Sequence, residues 1–233
     1  AIIVLCHWGA DEAYDPNSSV LAAIEGVDLV IDAHSHTELP NIKQTETSAP
    51  VTSTGEYLNN LGRVTMTIAA DGLEIEPTLI PNPMRFEDHT VINTIEQIEA
   101  DQAAILDAVI GKTDVSLMGE RAVVRTQESN WGDFACDVFI ETTGADIAMM
   151  NGGNIRKSVP AGDITVRDIN EVFPFANYVV VLSINGEQIK AMLEHGYSNL
   201  PETSGGFSQI GGMTCTVDVS KPAGERVSDI VIK

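Results

Sequence analysis

Three of the five histidines, His7, His34 and His36, fall just past apolar runs that read as strands. Neutral imidazole is the commonest metal ligand, and a water-rich site that meets hard oxygen atoms suits zinc, manganese or a similar ion. Residues i and i+2 share a face of an extended chain, so His34 and His36 can point into one site. A bare His-x-His pair also fits hydrogen-bonded loop histidines; the third histidine, at the end of a neighbouring strand, brings the metal reading level with that one. Cys6 beside His7 suggests a thiol nucleophile with its base. Adjacent strand residues point to opposite faces, however, and cannot share the hydrogen bond such a pair requires.

A second constellation is Asn151-Gly152-Gly153-Asn154-Ile155-Arg156, which follows the apolar stretch Ala145 to Met150. Two glycines after a strand let backbone approach a ligand closely. Asn151 carries both a donor and an acceptor for a base or sugar edge, and Arg156 carries a planar fork for a phosphate or hydroxyl. On spacing alone, a plain strand-to-turn loop with a surface arginine fits better.

The elements that must position these groups can be read from patterning. Ala1 to Cys6 and Val27 to Ile31 are apolar runs expected to be buried strands. Between them Asn17 and Ser18 offer N-caps to a short helix that Gly26 closes. Strand, helix, strand, with polar residues after each strand, is an α/β arrangement whose ligands bind at the carboxyl ends. Residues 37–60 are polar and poorly patterned. Val64, Met66 and Ile68 alternate with polar residues, Asp71-Gly72 is a turn signal, and Leu73 to Ile80 reads as the hairpin partner. Val91, Ile95, Ile98, Ile105 and Val109 then repeat at helical spacing over about five turns, with Gly111 where a C-cap belongs. Beyond it, helices are expected over 128–142, 169–172 and 187–197. Strands are expected over 145–150, 178–184, 213–219 and 227–232.

Of 233 residues, 34 are acidic and 13 basic, a formal charge of −21. That excess argues against a nucleic-acid partner, whose backbone is bound by Lys and Arg, so any phosphate site must be local. Aromatics are 5% of the chain, which predicts an aliphatic core. No run approaches the roughly 20 apolar residues that span a bilayer. Cys6, Cys136 and Cys215 have no metal-ligand or C-x-x-C spacing and read as core thiols. Nothing in the sequence sets an oligomeric state.

Asn151-Gly152-Gly153-x-Ile155-Arg156 is followed by Gly162-Asp163-Ile164-Thr165 and by Val172-Phe173-Pro174-Phe175-Ala176-Asn177. It is preceded by Arg125-x-x-Glu128-x-Asn130-x-Gly132-Asp133. Gly206-Phe207-Ser208-Gln209-Ile210-Gly211-Gly212 and Lys221-Pro222-Ala223-Gly224-Glu225-Arg226-Val227 come later. Together these motifs resemble the C-terminal domain of the 5′-nucleotidase family, in family order, over residues 113–233. His7-Trp8-Gly9 and the segment ending Asp32-Ala33-His34-Ser35-His36 are similar to elements of that family's metallophosphatase domain, with Ala33 where glycine is usual.

The resemblance implies an α/β chain in three parts: the C-terminal portion of a metallophosphatase α/β sandwich over 1–88, a linker helix over 89–112, and an α+β nucleotide-binding domain over 113–233. It implies two divalent metal ions, zinc or manganese, with His7 and His34 as ligands and His36 at a position whose residue type varies. Arg125, Asn151, Gly153, Arg156, Phe175 and Asn177 would hold the nucleotide, Phe175 stacking on the base. The implied activity is hydrolysis of nucleoside 5′-monophosphates. Alternatives are a 2′,3′-cyclic-nucleotide phosphodiesterase, a nucleotide-sugar hydrolase, or a non-catalytic nucleotide-binding module. The implied location is periplasmic, secreted or wall-attached. The family's Asp-x-His, bridging aspartate and Asn-His-Glu/Asp elements are not found; His89 and His195 lack that context. No catalytic residue is therefore assigned, the chain is expected to be a piece cut at both ends, and alone it should release little phosphate.

Overall fold

The structure, a computed structural model, describes residues 1–10, 16–42, 48–70, 72–83 and 87–233. It divides into two compact units, Ala1–Ile92 and Asn93–Lys233.

In the first unit, β1 (Ile3–Leu5), α1 (Ser19–Ala22), β2 (Leu29–Ile31), β3 (Glu38–Ile42) and β4 (Val51–Thr54) build a sheet in the order β1-β2-β4-β3. β1, β2 and β4 run parallel, and β3 closes the edge antiparallel to β4. Ala22, Val30, Ala49 and Val51 form its core. β2 is buried, as a run of branched residues in a parallel sheet should be. β1 differs from expectation: Ile3 is 46% and Leu5 75% exposed, because β1 is the sheet's outer strand and pairs only with β2 among the described residues. β3 and β4 are not legible in the polar 37–60 stretch. Pro40 sits in β3, where an edge strand tolerates its missing N–H. β4 hides Thr52 and Ser53 as well as Val51, and the Thr52 hydroxyl donates to the Leu39 carbonyl at 2.9 Å. β5 (Asn60–Ala69) and β6 (Gly72–Pro81) pair from Asn60↔Pro81 to Ala69↔Gly72 as the alternation predicts; Asp71 of the expected turn lies outside the described residues.

α2 (His89–Leu106) ends earlier than its periodicity suggests, and Val109 belongs to β7 (Val109–Thr113). Pairing of β7 with β9 (Gly162–Thr165) supplies hydrogen bonds that a further helical turn would forgo. The second unit continues with α3 (Arg121–Val124), α4 (Asn130–Thr143), β8 (Ala148–Asn151), α5 (Val166–Val172), α6 (Gly186–Gly196), β10 (Ser208–Gly211), β11 (Met213–Val217) and β12 (Val227–Ile232). β8 pairs with β10 and β11 with β12, both antiparallel. The Ser129 hydroxyl caps α4 by accepting from the Gly132 amide, and Gly144 ends it at φ +72°. Capping boxes open α5 (Thr165, Asp168) and α6 (Asn185, Gln188).

Trp131, Val124, Cys136, Ile155, Val159 and Val172 centre one core, and Leu193, Tyr197, Phe207 and Met213 another. The expectation of an aliphatic core fails at its middle: Trp131 is fully buried, with ring centroids of Phe134 and Phe173 at 5.8 and 5.5 Å. Residues 178–184 form no strand, since no segment among the described residues pairs with them, and Val180 and Leu182 stay 70% and 67% exposed. Among the described residues, no helix is long and apolar enough to cross a membrane.

Candidate functional site

In the first unit, the loops after β1 and β2 meet. The His7 and His34 rings make an edge contact with centroids 5.0 Å apart, and both residues are exposed. Asp32 organises the pair of loops. Its carboxylate accepts from the backbone amides of Trp8 (2.8 Å), Gly9 (3.0 Å) and Ala33 (2.7 Å), and from the Cys6 thiol at 3.2 Å. Burial works to raise the Asp32 carboxyl, but hydrogen bonds from the Trp8 and Ala33 amides and the Cys6 thiol help hold it below the ordinary carboxylate range. Burial first, then the Asp32 carboxylate, pushes the Cys6 thiol up to about 11. The thiol is therefore a hydrogen-bond donor here, not a thiolate nucleophile.

The pleat argument for His34 and His36 does not apply. Both adopt left-handed backbone, at φ +70° and +59°, so they are not successive same-face residues of a strand. The His34 ring meets His7, whereas His36 Nδ1 pairs with the Glu56 carboxylate. Two non-glycine residues so held within one short loop are strain of the kind that collects at functional sites. Among the described residues, no group of three or more His, Cys, Asp or Glu side chains could hold a metal ion. Two neighbouring imidazoles make a partial donor set.

In the second unit, Arg125, Asn151, Gly153, Arg156, Phe175 and Asn177 come together around the 3-10 turn Gly152–Asn154 that follows β8. Asn151 Nδ2 and the Gly153 amide both donate to the Gly205 carbonyl, at 3.0 and 2.9 Å. Arg125, at the end of α3, is 7% exposed, and its guanidinium lies against Gly205. The Arg156 Nη1 donates to the Gly153 carbonyl at 3.3 Å, and its guanidinium carbon stands 5.6 Å from the Phe175 ring centroid. Phe175 remains 49% exposed, which leaves ring surface for stacking. Asn177 Nδ2 donates to Asn154 Oδ1 at 3.0 Å. Asn151, Asn154, Phe175 and Asn177 also line a groove of about 1060 Å³ with Phe134 and Tyr178.

The two glycines also allow close approach within the protein itself. A Cβ on Gly152 would stand 1.8 Å from the Val124 carbonyl oxygen, and one on Gly153 would stand 2.9 Å from the Gly205 carbonyl oxygen. They let protein backbones close on one another, and that closure sets the ring of polar groups around the turn. Asn154, Gly205 and Gln209 contribute although none is among the expected site residues. Asn154 lies inside the Asn-Gly-Gly motif, but no local pattern reveals a contact with Asn177 across 23 residues.

Asp133, in the first turn of α4, is pushed up to about 6 by burial and then by the nearby Glu128 and Asp137 carboxylates, with Lys233 pulling the other way. A carboxyl raised above its unfolded value of about 3.9 contributes stability below that value and loses it as pH climbs through the folded value. Urea unfolding of the chain between pH 4 and 7 should therefore show a fall in stability that Asp133→Asn removes. An identical pH dependence in the two proteins would contradict this.

The family profile described as 5′-nucleotidase, C-terminal domain, matches residues 109–233. The trifunctional nucleotide phosphoesterase protein YfkN of Bacillus subtilis (strain 168) is 32% identical over an alignment covering 100% of this chain and 16% of that protein. A 5′-nucleotidase of Vibrio cholerae is 32% identical over 63% of this chain and 25% of its own length. Among solved structures, the 5′-nucleotidase precursor from Thermus thermophilus aligns with TM-score 0.67 and 33% identity, covering 92% of this chain and 47% of that one. The chain thus spans a quarter or less of the two curated relatives.

Proposed function

Because the chain belongs to the 5′-nucleotidase family, we propose that it is the nucleotide-holding part of a metal-dependent phosphohydrolase that converts nucleoside 5′-monophosphates to nucleoside and phosphate. The observation that carries this is the convergence of Arg125, Asn151, Gly153, Arg156, Phe175 and Asn177 on one turn. In this reading Phe175 stacks on the base, Asn151 and Asn177 meet polar edges of base or ribose, and the Arg125 and Arg156 guanidiniums offset phosphate charge on a chain of net −21. In this reading His7 and His34 are imidazole donors for two divalent ions of the whole protein, with His36, paired to Glu56, a further candidate. Bound there, such ions would supply Lewis-acid activation of a water and neutralisation of phosphoryl charge. The Asp32 carboxylate holds the two histidine loops in register. A location outside the cytoplasm, periplasmic, secreted or wall-attached, goes with this reading.

The name of the Bacillus subtilis relative, a trifunctional nucleotide phosphoesterase, favours a second reading in which more than one kind of nucleotide phosphoester is a substrate. Release of phosphate from a panel of mono- and cyclic nucleotides by the full-length protein separates the two, and binding without hydrolysis would mark a non-catalytic module.

The site itself is tested by calorimetric titration of the 233-residue chain with adenosine and AMP. Base stacking on an aromatic side chain is worth about 1–3 kcal/mol by alanine substitution. Phe175→Ala should therefore weaken binding roughly 5- to 150-fold, whereas Phe175→Trp should keep it. Absence of binding to both ligands by the parent chain would remove the reading.

A further inference from the structure

We propose that Gln209 is a positioning residue for the nucleotide site, clamping the Val124–Ser129 segment so that Arg125 is presented to the ligand. This rests on Arg125 being a nucleotide contact, as in the proposed function. Gln209 lies in β10 and is 1% exposed. Its Nε2 donates to the Val124 carbonyl at 3.0 Å and to the Gln127 carbonyl at 2.9 Å, and its Oε1 accepts from the Ser129 amide at 3.0 Å. Both amide protons are used and the oxygen faces a donor, so only this orientation of the carboxamide satisfies the three backbone groups. Those groups bracket Arg125 in sequence, 80 to 85 residues from Gln209.

The surroundings are shaped to this carboxamide. A Cβ on Gly132 would stand 2.1 Å from Gln209 Oε1, so a residue with a side chain at that point of α4 would expel it. From the opposite side the Arg125 carbonyl accepts from the Ser204 amide at 3.3 Å, and Gly152 abuts the Val124 carbonyl. Arg125 is thus bracketed by the loop residues Ser204 and Gly205, by the turn at Gly152, and by Gln209 beneath. Of these, Gln209 alone binds the backbone on both sides of Arg125 through its side chain.

The experiment combines hydrogen exchange with AMP titration on the 233-residue chain and its Gln209→Met, Arg125→Ala and doubly substituted variants. Gln209→Met should speed exchange of the Ser129 amide roughly tenfold or more while α6 amides keep their protection, and should weaken AMP binding about tenfold. In the double variant, AMP should bind within about twofold of Arg125→Ala, because Gln209 acts through Arg125. Should Gln209→Met fail to fold, Gln209→Glu keeps the shape and the acceptor, loses the donors, and must give the same pattern. Unchanged AMP affinity in a folded Gln209 variant, uniform acceleration of exchange over the whole unit, or additive losses in the double variant each overturn the proposal. If Arg125→Ala itself leaves AMP binding intact, the nucleotide-site reading fails instead, and the exchange data show that as a separate result.

Discussion

Trp131→Ala is expected to cost the Asn93–Lys233 unit about 3–5 kcal/mol, the range for truncating a large buried aromatic. Trp131 has no exposed surface and, with Phe134 of the same helix, α4, and Phe173, makes a three-ring cluster, with Val124, Ile155 and Val172 in the same core. Domains carry only about 5–15 kcal/mol in all, so the loss takes a large part of the reserve, and the cavity cannot refill from a core otherwise rich in small branched side chains. Trp131→Phe should cost less. The indole Nε1 has no hydrogen-bond acceptor among the described residues, so the smaller ring gives up volume and contact but no bond. Urea unfolding followed by circular dichroism measures both. Equal midpoints for Trp131→Ala and the parent would show that the ring cluster does not hold this unit together.

Gly152→Ala should damage the proposed nucleotide site more than any other single methyl. The added carbon would stand 1.8 Å from the Val124 carbonyl oxygen and 2.8 Å from its carbon, both backbone atoms that no rotamer change can move. Either the turn after β8 or the end of α3 must shift, and each carries part of the ring formed by Arg125, Asn151 and Gly153. Overpacking of this kind costs about 1–3 kcal/mol or more, and AMP affinity should fall roughly tenfold or more with it. Gly144→Ala is the matched comparison. Gly144 ends α4 at φ +72° with open space around it, so alanine there meets backbone strain of about 1–2 kcal/mol and no collision. It should lower the melting temperature and leave AMP binding alone. If Gly152→Ala binds AMP like the parent, close packing of the turn on Val124 is not what shapes the site.

Much of the element order follows from local patterning. The β5–β6 hairpin pairs in the alternating register its residues announce, α4 and α6 carry their caps where polar residues precede apolar periodicity, and β12 covers Val227–Ile232. Patterning fails where a segment's state depends on a distant partner. β4 is a strand although Thr52, Ser53 and Thr54 look like loop residues, because β2 and β3 flank it and the Thr52 hydroxyl is satisfied by Leu39. Residues 178–184 look like a strand and are not one, because a strand is a pairing and not a composition. Val109 fits a helical period and yet joins β7, where Thr165 is its partner.

The residues of the candidate sites are legible as types. Imidazoles after apolar runs, an asparagine and arginine around paired glycines, and an aromatic in Pro-Phe-Ala can be picked out one by one, because side-chain chemistry and short-range spacing are properties of the chain itself. Only the tertiary structure decided what they face. It turned His34 toward His7 and His36 toward Glu56 through left-handed backbone, and it used Gly152 and Gly153 for backbone packing. It also gave Asp32 and Gln209, ordinary members of their sequence motifs, the task of holding two loops and one arginine in place. The reason is physical: a buried carboxylate or carboxamide acquires its meaning from the backbone groups it must satisfy, and the farthest of those lie 24 residues from Asp32 and 85 from Gln209 along the chain.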